Sequence, residues 1–379
     1  PGDIKSGKGL EGDSDLEDGK PKKHYAVQLA LYTDILEHTG YLSHRIPFVW
    51  DINNREIEYN LDELQGIRNP VSLWSVYQDS LEEVEQIVEK KITTTPALTA
   101  TCKLCHWHTF CKNEIKQNDD LTLIPELGRS TRDKLMTNIS TVKDMASLDL
   151  NIFNRKIKGV GLNSLMKFQT RAKLLSTPGS KPIITEKIEL PESKTELFFD
   201  IETDPMRDTC YLHGFVIRFN QNNSTEKYYA FFADKPEENE EKKAFSDAVN
   251  FIKSNQPCIL YFYSKYERTI WRKLQQKYPD IISPEEVEAI FSPESSVDLY
   301  YDVVMKKTEW PTNNFSIKTL AQYLGFTWRD EDPSGASSIE WYHRWVEEKD
   351  ENIKKRILEY NEDDCIATRV LLDGLRQLF

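Results

Sequence analysis

The chain has 379 residues, 39% of them hydrophobic and 11% aromatic, enough for two or three domains with cores of their own. A formal net charge of −13 excludes a protein coated in nucleic-acid-binding charge, and no run of about twenty apolar residues offers a transmembrane helix, so no membrane partner is expected. The charge is uneven: residues 121–181 hold eleven Lys and Arg against four Asp and Glu, a local balance of +7 that makes a docking surface for an anion.

Residues 1–91 read as the second half of an α/β domain. The chain opens on Pro1 with a motif already under way and shows no signal peptide, which reads as a fragment of a longer polypeptide. Asp3-Ile4-Lys5-Ser6-Gly7 closes a strand, and a polar loop runs to about Lys23. Val27, Leu29, Leu31, Ile35 and Leu36 space an amphipathic helix from His24 to Gly40. Ile46–Trp50 and Arg55–Tyr59 predict two strands, and a helix near Ser80–Lys91 ends the unit. Residues 92–119 carry Cys102-x2-Cys105-x5-Cys111. Six cysteines, three of them clustered, fit a reducing, cytoplasmic compartment and a metal or cluster ligand set better than a disulfide framework. Residues 120–176 are short helices with glycine turns, and Pro178, Pro182 and Pro191 mark 177–193 as a linker. From 194 to 379 the plan changes. Glu196–Ile201, Tyr211–Asn220 and Lys227–Ala233 predict a three-strand meander, followed by a helix over Glu238–Ser254. Pro257–Tyr263 is a strand, Glu267–Tyr278 a helix, and two or three more helices reach Phe379.

Two strings in this last part carry chemistry. In Leu197-Phe198-Phe199-Asp200-Ile201-Glu202-Thr203, the period of a strand puts Asp200 and Glu202 on one side. In Glu359-Tyr360-Asn361-Glu362-Asp363-Asp364-Cys365, a helix puts Tyr360 and Asp364 on one face. Carboxylates from a strand and a late helix can converge on two divalent metals, Mg2+ or Mn2+, the apparatus for cleaving a phosphodiester with water. Asp363 falls about 100° round the helix from Asp364, toward solvent or a basic side chain. Asp298 is expected to cap the next helix.

These strings resemble the first and third motifs of the DEDD-type 3′–5′ exonucleases, in the subclass bearing Tyr-x-x-x-Asp. The β-β-β-α-β-α plan matches the ribonuclease-H-like fold: an α/β mixed sheet with flanking helices. The resemblance implies catalytic and metal-binding roles for Asp200, Glu202 and Asp364, with Tyr360 orienting the attacking water. It implies a fourth carboxylate after the central strand. Tyr263-Ser264-Lys265-Tyr266-Glu267 stands where the family carries Asn-x-x-x-Asp, so Glu267, one methylene longer, takes that place.

Asp3-x-Lys5 followed by Gln28-x-x-x-Tyr32 resembles the RecB-type branch of the PD-(D/E)xK nucleases. The implied second half-site, Asp3, Lys5, Gln28 and Tyr32, lacks that family's upstream acid and is expected to be inactive. The spacing of Cys102, Cys105 and Cys111 resembles three of the four ligands of those nucleases' iron–sulfur cluster, with a fourth cysteine expected upstream; zinc completed by His106 or His108 is the alternative. Lys156-Ile157-Lys158-Gly159-Val160-Gly161 carries the core of a helix–hairpin–helix, with Ile124–Arg129 as a degenerate first copy. Lys156, Lys158, Gly159 and Gly161 would contact phosphate without regard to sequence. Taken whole, the chain resembles RecB-like nucleases of bacteria and archaea that join these parts, often ahead of a helicase. The expected function is a 3′–5′ exonuclease acting on nucleic acid, DNA in preference to RNA. The alternative is a non-catalytic nucleic-acid-binding platform serving a linked helicase.

Overall fold

The computed structural model describes residues 1–11, 19–66, 69–99, 101–102, 105–150, 159–331 and 334–378. It divides into two compact units, Pro1–Thr95 and Pro96–Phe379.

In the first unit, β1 (Gly2–Ile4) runs parallel to β2 (Phe48–Trp50), which pairs antiparallel with β3 (Glu56–Glu58). The helix α1 (Lys23–His38) buries Ala26, Leu29 and Ala30 against Val49, Tyr59 and the second helix, α2 (Leu73–Val88). The sequence placed α2 near Ser80–Lys91; it begins seven residues earlier, because Ser72 caps it by accepting a hydrogen bond from the backbone N–H of Ser75. Leu73, Trp74 and Tyr77 in that added turn are buried, which outweighs the weak helix propensity of the aromatics.

The second unit opens with short helices: α3 (His108–Gln117), α4 (Arg129–Leu135), α5 (Val142–Ser147) and α6 (Leu162–Ser176). They share one core around Ile115, Leu121, Leu135, Met145 and Leu165. The proline-bearing stretch that follows is docked: Ile183 and Ile184 pair antiparallel with Glu309 and Thr308, and Ile188 is buried.

The rest is built on a five-stranded sheet. Three long antiparallel strands, β4 (Thr195–Asp204), β5 (Thr209–Phe219) and β6 (Asn222–Phe232), form the meander. Two shorter parallel strands, β7 (Ile259–Phe262) and β8 (Ser296–Asp298), complete the order β6-β5-β4-β7-β8. The mixed sheet with flanking helices is that of a ribonuclease-H-like fold. Alternation along β4 sends Leu197, Phe199 and Ile201 into the core under α7 (Glu238–Ser254), α8 (Tyr266–Lys277) and α9 (Pro284–Ile290). Phe198 goes to the opposite face, where Cys365, Leu371, Leu372 and Leu375 pack from the terminal helix.

That helix, α12 (Glu351–Arg376), follows α10 (Ile317–Tyr323) and α11 (Gly335–Glu348). Its buried Ile353, Ile357, Tyr360, Asp364, Ala367 and Leu371 recur every three or four residues, as one buried face requires. A buried ion network fixes its far end. Arg218 bonds Glu196 at 2.7 Å and Asp373 at 2.9 Å, and Arg376 bonds Glu196 at 2.6 Å. Among the described residues no helix is long and apolar enough to cross a membrane.

Candidate metal centre

The strand alternation that buries Phe198 under α12 also turns Asp200 and Glu202 toward that helix. One ligand oxygen each from Asp200, Glu202 and Asp364 lie within 4.8 Å of one another, and among the described residues this is the one such group of potential metal ligands. Glu202 and Asp364 are buried and Asp200 is half-buried. Burial, with the neighbouring Asp364 charge, holds the Asp200 carboxyl well above its usual range. The same two causes push Glu202 up to about 8. Burial raises Asp364 as well, while Lys318 and the Trp328 indole pull it back. Three hard oxygen donors, crowded and repelling, suit a divalent cation such as Mg2+ or Mn2+.

Each carboxylate is oriented by a partner from a distant element. The Nδ2 of Asn361 donates to Asp200 Oδ2 at 2.8 Å, and the Tyr228 hydroxyl donates to Asn361 Oδ1 at 2.8 Å. Room for Asn361 exists because residue 214, opposite Asp200 on β5, is glycine: a Cβ there would lie 1.6 Å from Asn361 Oδ1. The register between β4 and β5 shifts at Tyr211, and the Tyr211 hydroxyl bonds Ser338 Oγ at 2.7 Å and Glu202 Oε2 at 3.4 Å. Trp328 Nε1 donates to Asp364 Oδ1 at 2.7 Å. The Tyr360 hydroxyl, one turn before Asp364, accepts from Lys318 Nζ at 3.1 Å, and burial raises its pKa.

Glu267 sits in the first turn of α8, buried, and burial pushes its carboxyl up to about 8. Its Oε2 accepts from Ser264 Oγ at 3.2 Å, and it is not among the three converging ligands, although its charge acts on Asp200. Asp298 caps the helical turn after β8, accepting from the backbone N–H of Tyr300 and Tyr301 at 3.0 Å each. Asp363 is buried and bonded by Arg329, whose Nε lies 2.9 Å away.

In the first unit, Asp3 and Lys5 pair at 2.7 Å, Lys5 Nζ donates to Gln28 Oε1 at 2.5 Å, and Gln28 Nε2 donates to the Tyr32 hydroxyl at 2.7 Å. All four residues thus meet. The three cysteines do not: Cys105 is exposed, Cys102 and Cys111 are half-buried, and among the described residues their sulfurs form no group of three ligands. Gly159 takes a left-handed φ of +83°, and Gly161 is the N-cap of α6; Lys156 and Lys158 lie outside the described residues.

Asn361, Trp328, Lys318, Ser338 and Tyr211 were not singled out from the sequence. Asn361 carried a usable signal, a polar residue next to Tyr360 on a buried helix face. The others are joined to the centre only by tertiary folding.

Comparison with curated proteins gave no match, and comparison with solved structures gave none. Residues 197–376, the sheet and its helices, match the family model described as RNase_H superfamily. That match and the buried carboxylate centre together point to a metal-dependent nuclease acting on nucleic acid, with a domain similar to those of the RNase H superfamily.

Proposed function

We propose that this domain is a 3′–5′ exonuclease that works in DNA processing or repair with two divalent cations, in the reducing cytoplasm. The observation that carries the reading is the convergence of Asp200, Glu202 and Asp364 within 4.8 Å. These three would hold the cations, with Glu267 as the fourth carboxylate. Bound cations would supply activation of water and neutralisation of the phosphate. The chain's own residues do the rest. Asn361, Trp328 and Ser338 fix carboxylate orientation, and Tyr360, steadied by Lys318, positions the nucleophilic water. The Tyr-x-x-x-Asp spacing supports attack at a 3′ end.

The test is the purified protein on end-labelled single-stranded DNA and RNA, with and without Mn2+. A ladder shortening from the 3′ end is expected, on DNA in preference to RNA. Asp200→Ala should abolish it while leaving the fold intact. Metal-independent cleavage, or full activity in Asp200→Ala, would sink the reading.

A second reading is a non-catalytic platform serving a linked helicase. It is favoured by Glu267, whose carboxylate is bonded to Ser264 and lies outside the converging three. Calorimetric titration separates the two, since the platform predicts no Mn2+ binding at the triad.

For the other segments we propose a silent RecB-type half-site at Asp3, Lys5, Gln28 and Tyr32 in residues 1–91. Residues 92–119 would supply Cys102, Cys105 and Cys111 to an iron–sulfur cluster completed by a fourth thiolate. Residues 120–176 would form the helix–hairpin–helix contact, with 177–193 linking it to the nuclease at 194–379. Visible thiolate-to-iron absorption, lost in Cys105→Ser, would support the cluster; stoichiometric zinc without iron would replace it.

A further inference from the structure

A groove of about 1050 Å³ lies within the second unit, between the short helices and the sheet domain. One wall is α3, from which His108, Lys112 and Lys116 face it. Their spacing of four puts them on one helix face. Lys112 and Lys116 are exposed, and among the described residues neither is in an ion pair. Glu126 also lines the groove, but its charge is offset by Lys167 at 2.9 Å and Arg171 at 2.8 Å.

The facing wall is aromatic. Tyr263, Tyr300 and Phe315 line it, the two tyrosine rings 5.3 Å apart. Two of its segments also carry residues that act on the metal centre. Ser264, a groove residue, donates to Glu267, and Ile317 and Thr319, also groove residues, flank Lys318. Cations on one helix face together with a partly exposed tyrosine ring are the elements that bind single-stranded nucleic acid: ammonium groups track phosphates while a ring stacks on an unpaired base. A duplex keeps its bases stacked on one another and has none to offer the rings.

We propose that this groove is the track for single-stranded DNA leading to the carboxylate centre, with Lys112 and Lys116 on its phosphates and Tyr300 stacking a base. The proposal rests on the nuclease reading for its polarity and purpose, not for its binding chemistry.

The test uses full-length Asp200→Asn protein, so that no strand is cut, and fluorescence anisotropy with a labelled oligodeoxythymidylate. Lys112→Glu with Lys116→Glu is compared with Lys227→Glu with Lys243→Glu, an equal charge change at exposed lysines outside the groove. The groove pair should weaken binding at least tenfold more than the control pair. It should also flatten the slope of log K against log salt by about 1.4, two phosphates at about 0.7 each. Tyr300→Leu should weaken binding about five- to a hundredfold with the slope unchanged. Equal effects of the two lysine pairs would overturn the proposal. So would tighter binding of a duplex than of a strand, or competition by polyglutamate as effective as by unlabelled DNA.

Turnover of thymidine 5′-monophosphate p-nitrophenyl ester by the unmutated protein with Mn2+ reports the centre without a strand. If that fails while the binding differences hold, the nuclease reading falls and the groove stands.

Discussion

Gly214→Ala tests how the centre is built. The β5 backbone at this residue is ordinary, with no left-handed φ, so alanine adds no conformational strain. Its only effect is the Cβ, which would sit 1.6 Å from Asn361 Oδ1 and 2.7 Å from its Cγ. Asn361 is fully buried and cannot swing into solvent. It must give up its bond to Asp200, about 1.5–3 kcal/mol because the acceptor is charged, and its bond from Tyr228, about 1 kcal/mol. Overpacking adds about 1–3 kcal/mol. The sum, about 3.5–7 kcal/mol, should appear in chemical denaturation. Release of Asp200 should weaken Mn2+ binding in calorimetry about ten- to a hundredfold, as loss of a ligand's outer partner does. The decisive comparison is the double variant. In Asn361→Ala the clashing atoms are gone, so Gly214→Ala should cost less there than in the unmutated chain, a coupling of more than about 1 kcal/mol. A neutral Gly214→Ala, or additivity in the double variant, would falsify the idea that glycine is present to admit Asn361.

Lys318→Met removes a positive charge that acts on all three carboxyls. Mn2+ affinity should rise roughly fivefold or more while turnover falls, and weaker metal binding would contradict the placement of that charge. His213 is buried beside Cys210, Phe245 and Trp271, and burial lowers its pKa from 6.5 to about 3. A depressed pKa contributes stability that is complete above pH 6.5 and is lost as pH falls toward 3, on the order of a few kcal/mol. Melting temperatures between pH 7 and 4.5 should therefore fall less steeply in His213→Phe than in the unmutated chain; parallel curves would exclude this histidine as a source of acid sensitivity. Arg171→Met strands Glu309, to which the buried guanidinium donates at 2.6 Å, and should cost about 3–5 kcal/mol, recovered in part by adding Glu309→Gln.

The sequence was readable wherever one element carries the whole signal. Asp200 and Glu202 share a face because strands have a period of two. Tyr360 and Asp364 share one because helices repeat near four. The meander, its strand boundaries shifted by one to five residues, followed from apolar runs. The partners that orient the carboxylates were not readable in this way. Trp328, Ser338 and Lys318 come from three separate segments, and nothing in their own neighbourhoods marks them. Glu267 shows the limit from the other side. Its place after β7 follows from the order of elements, but the direction of its longer side chain is decided locally by Ser264. The early start of α2 was hidden because Ser72 is a capping residue only once Leu73, Trp74 and Tyr77 have a core to enter.

The terminal helix has a consequence for the order of events during synthesis. Asn361 bonds Asp200 across 161 positions of chain, and Asp364 lies three residues further on. A polypeptide emerging from the ribosome displays Asp200 and Glu202 long before the segment that supplies the third carboxylate exists. Closing so large a loop is among the slower steps of assembly. Such a nascent chain holds two acids that repel each other and lacks the third carboxylate of the cluster. A destructive activity is thereby withheld until translation has passed residue 364 and the last helix has docked.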